Sequence, residues 1–309
     1  MKSIRLLSAA AVSAGLLAVT ACASSSNPTS TAPGGGAGPS APSDTIVVGS
    51  ANFQENVVLA DIYAGALRAK GLKVSTKLNI GSRETYVPAL KDGSIDLIPE
   101  YTGVLLQYFD KAATAASSTE VYAALQKATP APLTVLQQSA AEDKDAIVVT
   151  QQTATKYSLK SIADLSAVAG KLTLGAPPEF QTRVDGIPGL KKVYGLRFKT
   201  YKKLDAGGPL TQNALKNGQI DAGDIFTTDP LIDKNKWVVL ADPKSLYTAQ
   251  NVLPLINSRK ASANVKTVLN AVSAKLTTSD LVALNEKVSL EKQDANAVAQ
   301  KWLSDAGLG

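Results

Sequence analysis

Apolar and polar residues alternate along the chain in patterns that predict strands and helices in turn. Residues 45–50, TIVVGS, form a short β-rich run closed by glycine. Residues 73–80, KVSTKLNI, alternate as a second strand does. The helix between them is predicted from apolar residues at helical spacing, which are Val58, Leu59, Ile62, Tyr63, Ala66 and Leu67.

The ends of this helix are also marked in the sequence. Asn52, with Glu55 three residues later, forms a good N-cap arrangement, and Gly71 follows the helix as a C-cap signal. Towards the C-terminus, Ser279 and Asp280 form a plausible cap for a late helix. The helix before that one is predicted from a second stripe, which consists of Val265, Val268, Leu269, Val272 and Leu276.

The elements of the first half recur in the second half. Residues 89–96 read ALKDGSID and residues 214–221 read ALKNGQID, which is an offset of 125 residues. At nearly the same step, IVVGS ends a strand at Gly49 and LTLGA ends one at Gly175. Repeated β-α-β units predict mostly parallel sheets with helices on both faces. We therefore expect two similar α/β lobes joined by crossing segments.

The repeat also places an aromatic-threonine pair at the same position in each lobe. Tyr101-Thr102 follows the first Ile-Asp and Phe226-Thr227 follows the second, each at the end of a predicted strand. Ligands of open parallel sheets bind beyond the carboxyl ends of the strands, and clefts between domains are favoured sites. We predict that both rings face such a cleft. The alternative is that they only cover the strand ends.

Composition removes several classes of chemistry. The 309 residues include no histidine and one cysteine, which excludes Ser-His-Asp and Cys-His catalysis, metal sites that use histidine, and an internal disulfide. We expect no cofactor and no metal. The formal charge is +6, and without Lys2 and Arg5 the remaining 30 basic and 26 acidic residues leave +4. These charges are spread along the chain, so a nucleic-acid surface is not supported.

The N-terminus has the pattern of a secretory signal. Lys2 and Arg5 precede a short apolar segment, and we assign residues 1–21 to a signal peptide. Val19-Thr20-Ala21-Cys22 matches a bacterial lipobox, in which Cys22 is lipidated and becomes the mature first residue. The alternative is an incidental or buried cysteine. Residues 22–43 carry no charge and are rich in Gly, Ser and Pro, which predicts a flexible tether to a folded body that begins near residue 44.

Five segments of this body resemble the substrate-binding lipoproteins of ProX-like ABC importers, which take up glycine betaine, choline, carnitine and related osmoprotectants. The resemblance covers essentially the whole chain after the tether. The segments, in order, are GSANFQE (49–55), GSRETY (81–86), IDLIPEYTG (95–103), APPEFQTRVDGIPGLKKVYGL (176–196) and FTTDPLI (226–232).

This resemblance implies a type II periplasmic-binding-protein fold, with two α/β lobes and a ligand cleft between them. We assign residues 44–146 and 252–309 to one lobe and residues 147–251 to the other. The protein is then expected to be a monomeric, extracytoplasmic binding subunit and not an enzyme, held at the membrane by its lipid alone. Its lobes would close on a small solute and deliver it to an ABC permease and its ATPase.

Members of this family hold a quaternary ammonium among aromatic rings, because a cation without N–H groups is attracted by ring faces. By resemblance, Tyr101 and Phe226 match rings of this cage. Arg183 matches an arginine that reaches a ligand carboxylate, with a structural ion pair to Asp185 or Glu179 as the alternative. Further ligand-binding positions carried over from the family or placed at the strand ends are Asn52, Thr102, Val104, Asp145, Thr227 and Gln250.

Some positions depart from the family pattern. Ala51 stands where betaine binders often have lysine. Val104 stands where betaine binders often have threonine and where choline binders often have aspartate. Glu100 and Arg83 are expected to brace the turns around the site. Two rings without a lysine would hold glycine betaine weakly, which suggests a different solute.

Three alternatives to osmoprotectant transport remain open from the sequence. The same fold could bind a sugar-like, phenolic or other non-betaine solute, or it could serve as an envelope sensor or adhesion lipoprotein. An enzyme would rest on the S-x-x-K spacing of Ser289 and Lys292. That motif lacks its partner elements and falls within an apolar helical stripe, so we do not favour catalysis.

Overall fold

The computed structural model describes residues 44–309 of the chain. The predicted signal peptide, the lipidated Cys22 and the tether lie outside the described residues. Within residues 44–309, no helix is both long enough and apolar enough to cross a membrane.

Ten strands of the described residues form two five-stranded sheets. The strands are β1 (Ile46–Gly49), β2 (Val74–Lys77), β3 (Leu97–Tyr101), β4 (Leu133–Val135), β5 (Asp145–Val149), β6 (Thr173–Ala176), β7 (Thr200–Lys203), β8 (Ala222–Phe226), β9 (Val238–Val239) and β10 (Val252–Asn257). The strand order is β2-β1-β3-β10-β4 in the first sheet and β7-β6-β8-β5-β9 in the second. We call the first sheet with its helices lobe 1, and the second sheet with its helices lobe 2.

The helices cover both faces of each sheet. They are α1 (Gln54–Ala69), α2 (Arg83–Asp92), α3 (Thr102–Phe109), α4 (Ser118–Ala128), α5 (Gln151–Tyr157), α6 (Ile187–Tyr194), α7 (Pro209–Lys216), α8 (Leu231–Lys234), α9 (Ala263–Lys275), α10 (Thr278–Asn285) and α11 (Ala295–Asp305). Short 3₁₀-helices span Ile162–Ala167, Ala169–Lys171, Pro178–Gln181 and Ser258–Lys260, and a π-helix spans Glu286–Leu290.

The two halves repeat one topology, as the sequence predicts. In lobe 1, β1 pairs in parallel with β2 and β3, and in lobe 2, β6 pairs in parallel with β7 and β8. Each sheet is completed by antiparallel strands, because β10 pairs with β3 and β4 while β5 pairs with β8 and β9. The two-lobed α/β fold is confirmed, and the exact residue bounds assigned to the lobes stay a prediction.

Each sheet buries apolar residues on both of its faces. In lobe 1, α1, α9 and α11 contribute to one core cluster, which includes Leu59, Val272 and Leu303. The opposite cluster of lobe 1 takes residues from α2, α3 and α4, such as Leu90 and Leu105. A chain of this length can therefore bury a core in each lobe. The strand ends between the lobes lie outside these cores and are available for polar groups.

Two predicted caps are wrong and one is confirmed. Phe53, not Asn52, precedes α1, and its ring has no oxygen that could accept a hydrogen bond from the first turn, while Glu55 accepts from the Tyr101 hydroxyl instead. The helix α10 is capped by Thr277, whose hydroxyl accepts from the Asp280 N–H, so Asp280 stands at the third helical position and Ser279 does not cap. Gly71 ends α1 as predicted, in a left-handed conformation with φ of 76° that glycine adopts without strain.

The segment PEYTGV passes directly from β3 into α3. Tyr101 is the last residue of the strand and Thr102 the first of the helix. The Thr102 N–H donates to the Asn251 carbonyl at 3.0 Å, and its hydroxyl donates to the Ala249 carbonyl at 3.0 Å. The chain before β10 therefore lies against the first turn of α3. Gly103 permits this approach, because a Cβ there would lie 2.6 Å from the Ala249 oxygen.

Replacing Gly103 by alanine tests this contact. Gly103→Ala is expected to lower the free energy of unfolding by about 1–3 kcal/mol, because the new methyl group overpacks a junction of two backbones. Gly170→Ala is the matched control, since its Cβ would meet only the Arg197 carbonyl, at 4.0 Å. Urea unfolding measures both variants, and equal midpoints would show that α3 and the chain before β10 can separate without cost.

Candidate functional site

A cavity between the lobes collects most of the residues predicted for ligand binding. Its wall includes parts of β3, α3 and β8, together with loops from both lobes. The predicted site residues on this wall are Asn52, Tyr101, Val104, Asp145, Arg183, Phe226 and Gln250. The repeat and the family resemblance therefore point to one place in the fold.

The two threonines of the aromatic-threonine pairs are not on this wall. The Thr102 hydroxyl donates to the Ala249 carbonyl and accepts from the Asn251 N–H. The Thr227 hydroxyl donates to Asp143 Oδ1 at 3.1 Å and accepts from the Lys144 N–H at 2.9 Å. Both side chains fasten the chain segments next to the rings, and their hydrogen bonds are made within the protein.

Three of the four aromatic side chains on the cavity wall pack together, and the sequence predicted two of those three. Phe53 lies between the two predicted rings, with its centroid 6.0 Å from that of Tyr101 and 5.0 Å from that of Phe226. We call these three residues the ring cluster. Phe53 lies within GSANFQE, which carries part of the family resemblance, but it has no counterpart in the internal repeat that located Tyr101 and Phe226.

A buried carboxylate orients the ring of Tyr101. The Tyr101 hydroxyl donates to Glu55 Oε1 at 2.7 Å. Glu55 Oε2 accepts from Thr228 Oγ1 at 2.6 Å and from Asn285 Nδ2 at 2.7 Å. Burial, followed by the charges of Glu55 and Asp143, raises the pKa of Tyr101 well above its usual range, so its hydroxyl stays protonated as a donor. Glu55 thus joins lobe 1, lobe 2 and helix α10.

A second buried carboxylate braces the turn at the end of β3. Arg83 donates twice to Glu100, from Nε and from Nη2, both at 2.8 Å. Glu100 also accepts from the Tyr86 hydroxyl at 2.7 Å and from the Tyr101 N–H at 3.0 Å. The bracing roles predicted for Arg83 and Glu100 are confirmed. Although Arg83 is on the cavity wall, its guanidinium is bound to a carboxylate of the protein.

Arg183 forms an ion pair across the cleft. Its Nε and Nη2 donate to the two carboxylate oxygens of Glu84 on α2, each at 3.0 Å, and Nη2 lies 3.9 Å from Glu179. Glu179 was an expected partner, whereas Glu84 lies 99 positions away and was not foreseen. Burial raises the pKa of Glu84, but hydrogen bonds from Arg183 and Ser82 outweigh it and lower that pKa to about 2.

Three aspartates form an acidic part of the cavity wall. Asp143, Asp145 and Asp224 line it, and we call them the acidic wall. Asp224 is 1% exposed, and its Oδ1 has no hydrogen-bond partner among the described residues. Burial, followed by the charge of Asp145, raises the pKa of Asp224 well above its usual range. Burial, followed by the charge of Glu55, also raises the pKa of Asp143.

Comparison with known proteins identifies the family of this fold. The family described as the substrate-binding domain of ABC-type glycine betaine transport systems matches residues 44–305. The chain is 27% identical over 281 residues to a glycine-betaine-binding protein of Pseudomonas aeruginosa, covering 86% of this chain and 89% of that protein. It is 26% identical over 267 residues to the carnitine transport binding protein OpuCC of Listeria monocytogenes, covering 84% of this chain and 86% of that protein.

A solved structure supports the same fold. The crystal structure of a glycine betaine/carnitine/choline ABC transporter protein superposes with a TM-score of 0.67 at 23% identity, covering 85% of this chain and 99% of that one. The predicted periplasmic-binding-protein fold and the family resemblance are therefore confirmed.

The acidic groups behind the wall should make the stability of the protein depend on pH. Burial and then Asp145 raise the pKa of Asp185 to about 6, against the opposing charges of Arg183 and Arg83. The folded protein then binds more protons than the unfolded chain between pH 4 and 6, so the contribution of Asp185 to stability falls as the pH rises. Asp185→Asn is expected to change stability little at pH 4 and to raise it by roughly 1–3 kcal/mol at pH 7.

Denaturant unfolding at both pH values measures this difference. Asp233→Asn, at an exposed aspartate of the same lobe, is the control and should change stability equally at both. A stabilisation by Asp185→Asn that did not grow between pH 4 and pH 7 would contradict the argument.

Proposed function

The chain belongs to the family of substrate-binding domains of ABC-type glycine betaine transport systems, and from that premise we propose that it captures a small organic cation between its lobes for delivery to a permease. The cation is of the quaternary-amine or related compatible-solute type. This family binds solutes and does not catalyse reactions, which agrees with the prediction that the protein is not an enzyme.

The observation that carries the proposal is the ring cluster beside the acidic wall. The faces of Phe53, Tyr101 and Phe226 attract an organic cation by about 0.5–2 kcal/mol each, depending on desolvation. Carboxylates next to the rings add attraction of the same sign. The names of the relatives refer to glycine betaine and carnitine, and the positively charged ammonium group of both compounds agrees with a ligand held by rings.

The same wall offers little to a ligand carboxylate. Arg83 and Arg183 are the basic residues on the described part of the wall, and each is held by two hydrogen bonds to a glutamate. Ala51 occupies the position where the family resemblance led us to look for lysine. These contacts favour a cation without a carboxylate over glycine betaine.

Contacts between the lobes support capture by closure. The Arg183–Glu84 ion pair and the Thr228–Glu55 hydrogen bond both join lobe 1 to lobe 2. A hinge motion that makes these contacts around a solute would present a distinct closed form to the permease. We place the moving lobes at residues 44–146 with 252–309 and at residues 147–251, except that Asp145 and Ala146, as part of β5, would move with lobe 2.

We further propose where the protein acts. Signal-peptide cleavage before Cys22 and lipidation of that cysteine would hold the binding domain on the extracytoplasmic side of a bacterial membrane, by its lipid alone. The domain would act there as a monomer with an ABC permease and its ATPase.

A thermal-shift panel on the full-length protein tests the proposed ligand class. Choline, a cation without a carboxylate, is expected to raise Tm, because a ligand that binds only the folded state stabilises it. Phe53→Leu keeps the apolar bulk but removes a ring, and it should weaken binding by roughly 2- to 30-fold. Phe198→Leu, a ring packed against the core of lobe 2, is the control and should leave the affinity unchanged.

The panel also includes sugars and phenolic compounds. If a sugar or a phenolic compound raised Tm and no cation did, the protein would bind a non-betaine solute of that class, and the proposed ligand class would be wrong. A panel without any shift would contradict the proposal.

The role of Arg183 is tested by comparing two ligands. If Arg183 closes the lobes, Arg183→Gln should weaken binding of choline and of glycine betaine by the same factor, about two- to tenfold. Glu84→Gln should reproduce this effect, because it removes the same interlobe charge pair. A loss confined to glycine betaine would show instead that Arg183 holds the ligand carboxylate. Isothermal titration calorimetry measures all four combinations.

A further inference from the structure

Asp224 is a buried acceptor that faces the cavity without a partner. It lies two residues before Phe226 on β8, so the two side chains are on the same face of the sheet. It is 1% exposed, lines the cavity, and its Oδ1 makes no hydrogen bond to any residue of 44–309. Nearly all buried polar atoms in folded proteins are hydrogen-bonded, so an oxygen in this position indicates a donor that enters the cavity.

Asp145 places a second carboxylate beside it. Asp145 is the register partner of Phe226 in the antiparallel pairing of β5 with β8, so its side chain is on the same face as Phe226 and Asp224. Its Oδ2 accepts from Gln250 Nε2 at 3.3 Å. The third carboxylate, Asp143, already accepts from Thr227 and Thr228. Asp224 and Asp145 are therefore the members of the acidic wall that are placed to receive a ligand.

These carboxylates lack basic partners in the protein. Arg83 is bound to Glu100 and Arg183 to Glu84, so neither guanidinium neutralises the acidic wall by a direct ion pair. Burial, with the charges of Asp145 and then Asp185, raises the pKa of Asp224. A cation that donates to Asp224 would offset both the burial and the repulsion. Among the described residues, no group of three acidic or other ligating side chains is arranged to hold a metal ion, which favours an organic cation.

A fully methylated ammonium does not suit Asp224. A trimethylammonium group carries no N–H, so it would displace hydration from the carboxylate without supplying a hydrogen bond. A protonated amine or a guanidinium donates a charge-assisted hydrogen bond, which is about twice as strong as a neutral one. The ring cluster can hold the remaining methyl or methylene groups of such a ligand.

We propose that Asp224, together with Asp145, forms a hydrogen-bond-accepting subsite for a cationic N–H group, and that the solute is a protonated amine or guanidinium compound without a carboxylate. This inference rests on the proposed function and specifies the substrate class of the same cavity. A site built from rings alone would have no acceptor for such an N–H group.

A series of ethanolamines tests the subsite on the full-length protein. Choline, N,N-dimethylethanolamine, N-methylethanolamine and ethanolamine are all cationic at pH 7 and differ only by exchange of methyl groups for N–H. We expect the tightest-binding demethylated amine to bind at least tenfold more tightly than choline. Asp224→Asn keeps the shape of the side chain but removes its charge, and it should reduce the spread of affinities to about threefold or less. Asp145→Asn should also reduce the spread of affinities.

The outcomes separate the inference from the proposed function. If choline binds more tightly than every demethylated amine, the subsite is refuted while capture of an organic cation stands. If no cation of the series or of the osmoprotectant panel binds, the proposed function itself fails. A preference for N–H cations that persists in Asp224→Asn would refute the assignment to Asp224. Asp233→Asn should preserve the wild-type series, and melting curves of each variant confirm that it is folded.

Discussion

The buried carboxylate of Glu55 is the contact on which the site depends. It has no basic partner among its described contacts and is satisfied by three donors, from Tyr101, Thr228 and Asn285. Burying a carboxylate is costly unless hydrogen bonds replace its hydration. Those donors come from the end of β3, from lobe 2 and from α10, so the charge of Glu55 is well accommodated only when all three segments are in place. The position of the Tyr101 ring therefore depends on the contact between the lobes.

The second constraint is the way in which the cleft distributes its charges. Its two arginines are held by Glu100 and Glu84, which converts both into structural groups. The carboxylates of the acidic wall are left without guanidinium partners. Because the pKa of Asp224 is raised by burial and by Asp145, the wall is under electrostatic strain that a cation relieves. The preference of the cleft for positive charge therefore comes from carboxylates that form no ion pair with its two arginines.

Much of the fold could be predicted from the sequence because the signals are local or repeated. Strand and helix periods mark the elements, and the offset between ALKDGSID and ALKNGQID reveals the two sheets. That repeat also located Tyr101 and Phe226. Other features depend on side chains that are distant in sequence. The partner of Arg183 lies 99 positions away, and the position of Phe53 against both other rings follows only from how the lobes meet.

A family resemblance predicts which residues lie at the binding site more reliably than it predicts what their side chains contact. By resemblance, Arg183 matches an arginine that reaches a ligand carboxylate, but here its Nε and Nη2 each donate a hydrogen bond to Glu84 on the opposite lobe. By resemblance, Ala51 replaces a lysine and Val104 a threonine of betaine binders, which could contact an anionic ligand group, but Val104 also replaces the aspartate of choline binders. Each of these differences removes a means of binding a carboxylate, and the unpartnered oxygen of Asp224 adds a means of binding a donor. The pairing of Arg183 with Glu84, the alanine at position 51 and the unpartnered oxygen of Asp224 act in the same direction, so together they favour a cation without a carboxylate more strongly than any one of them would alone.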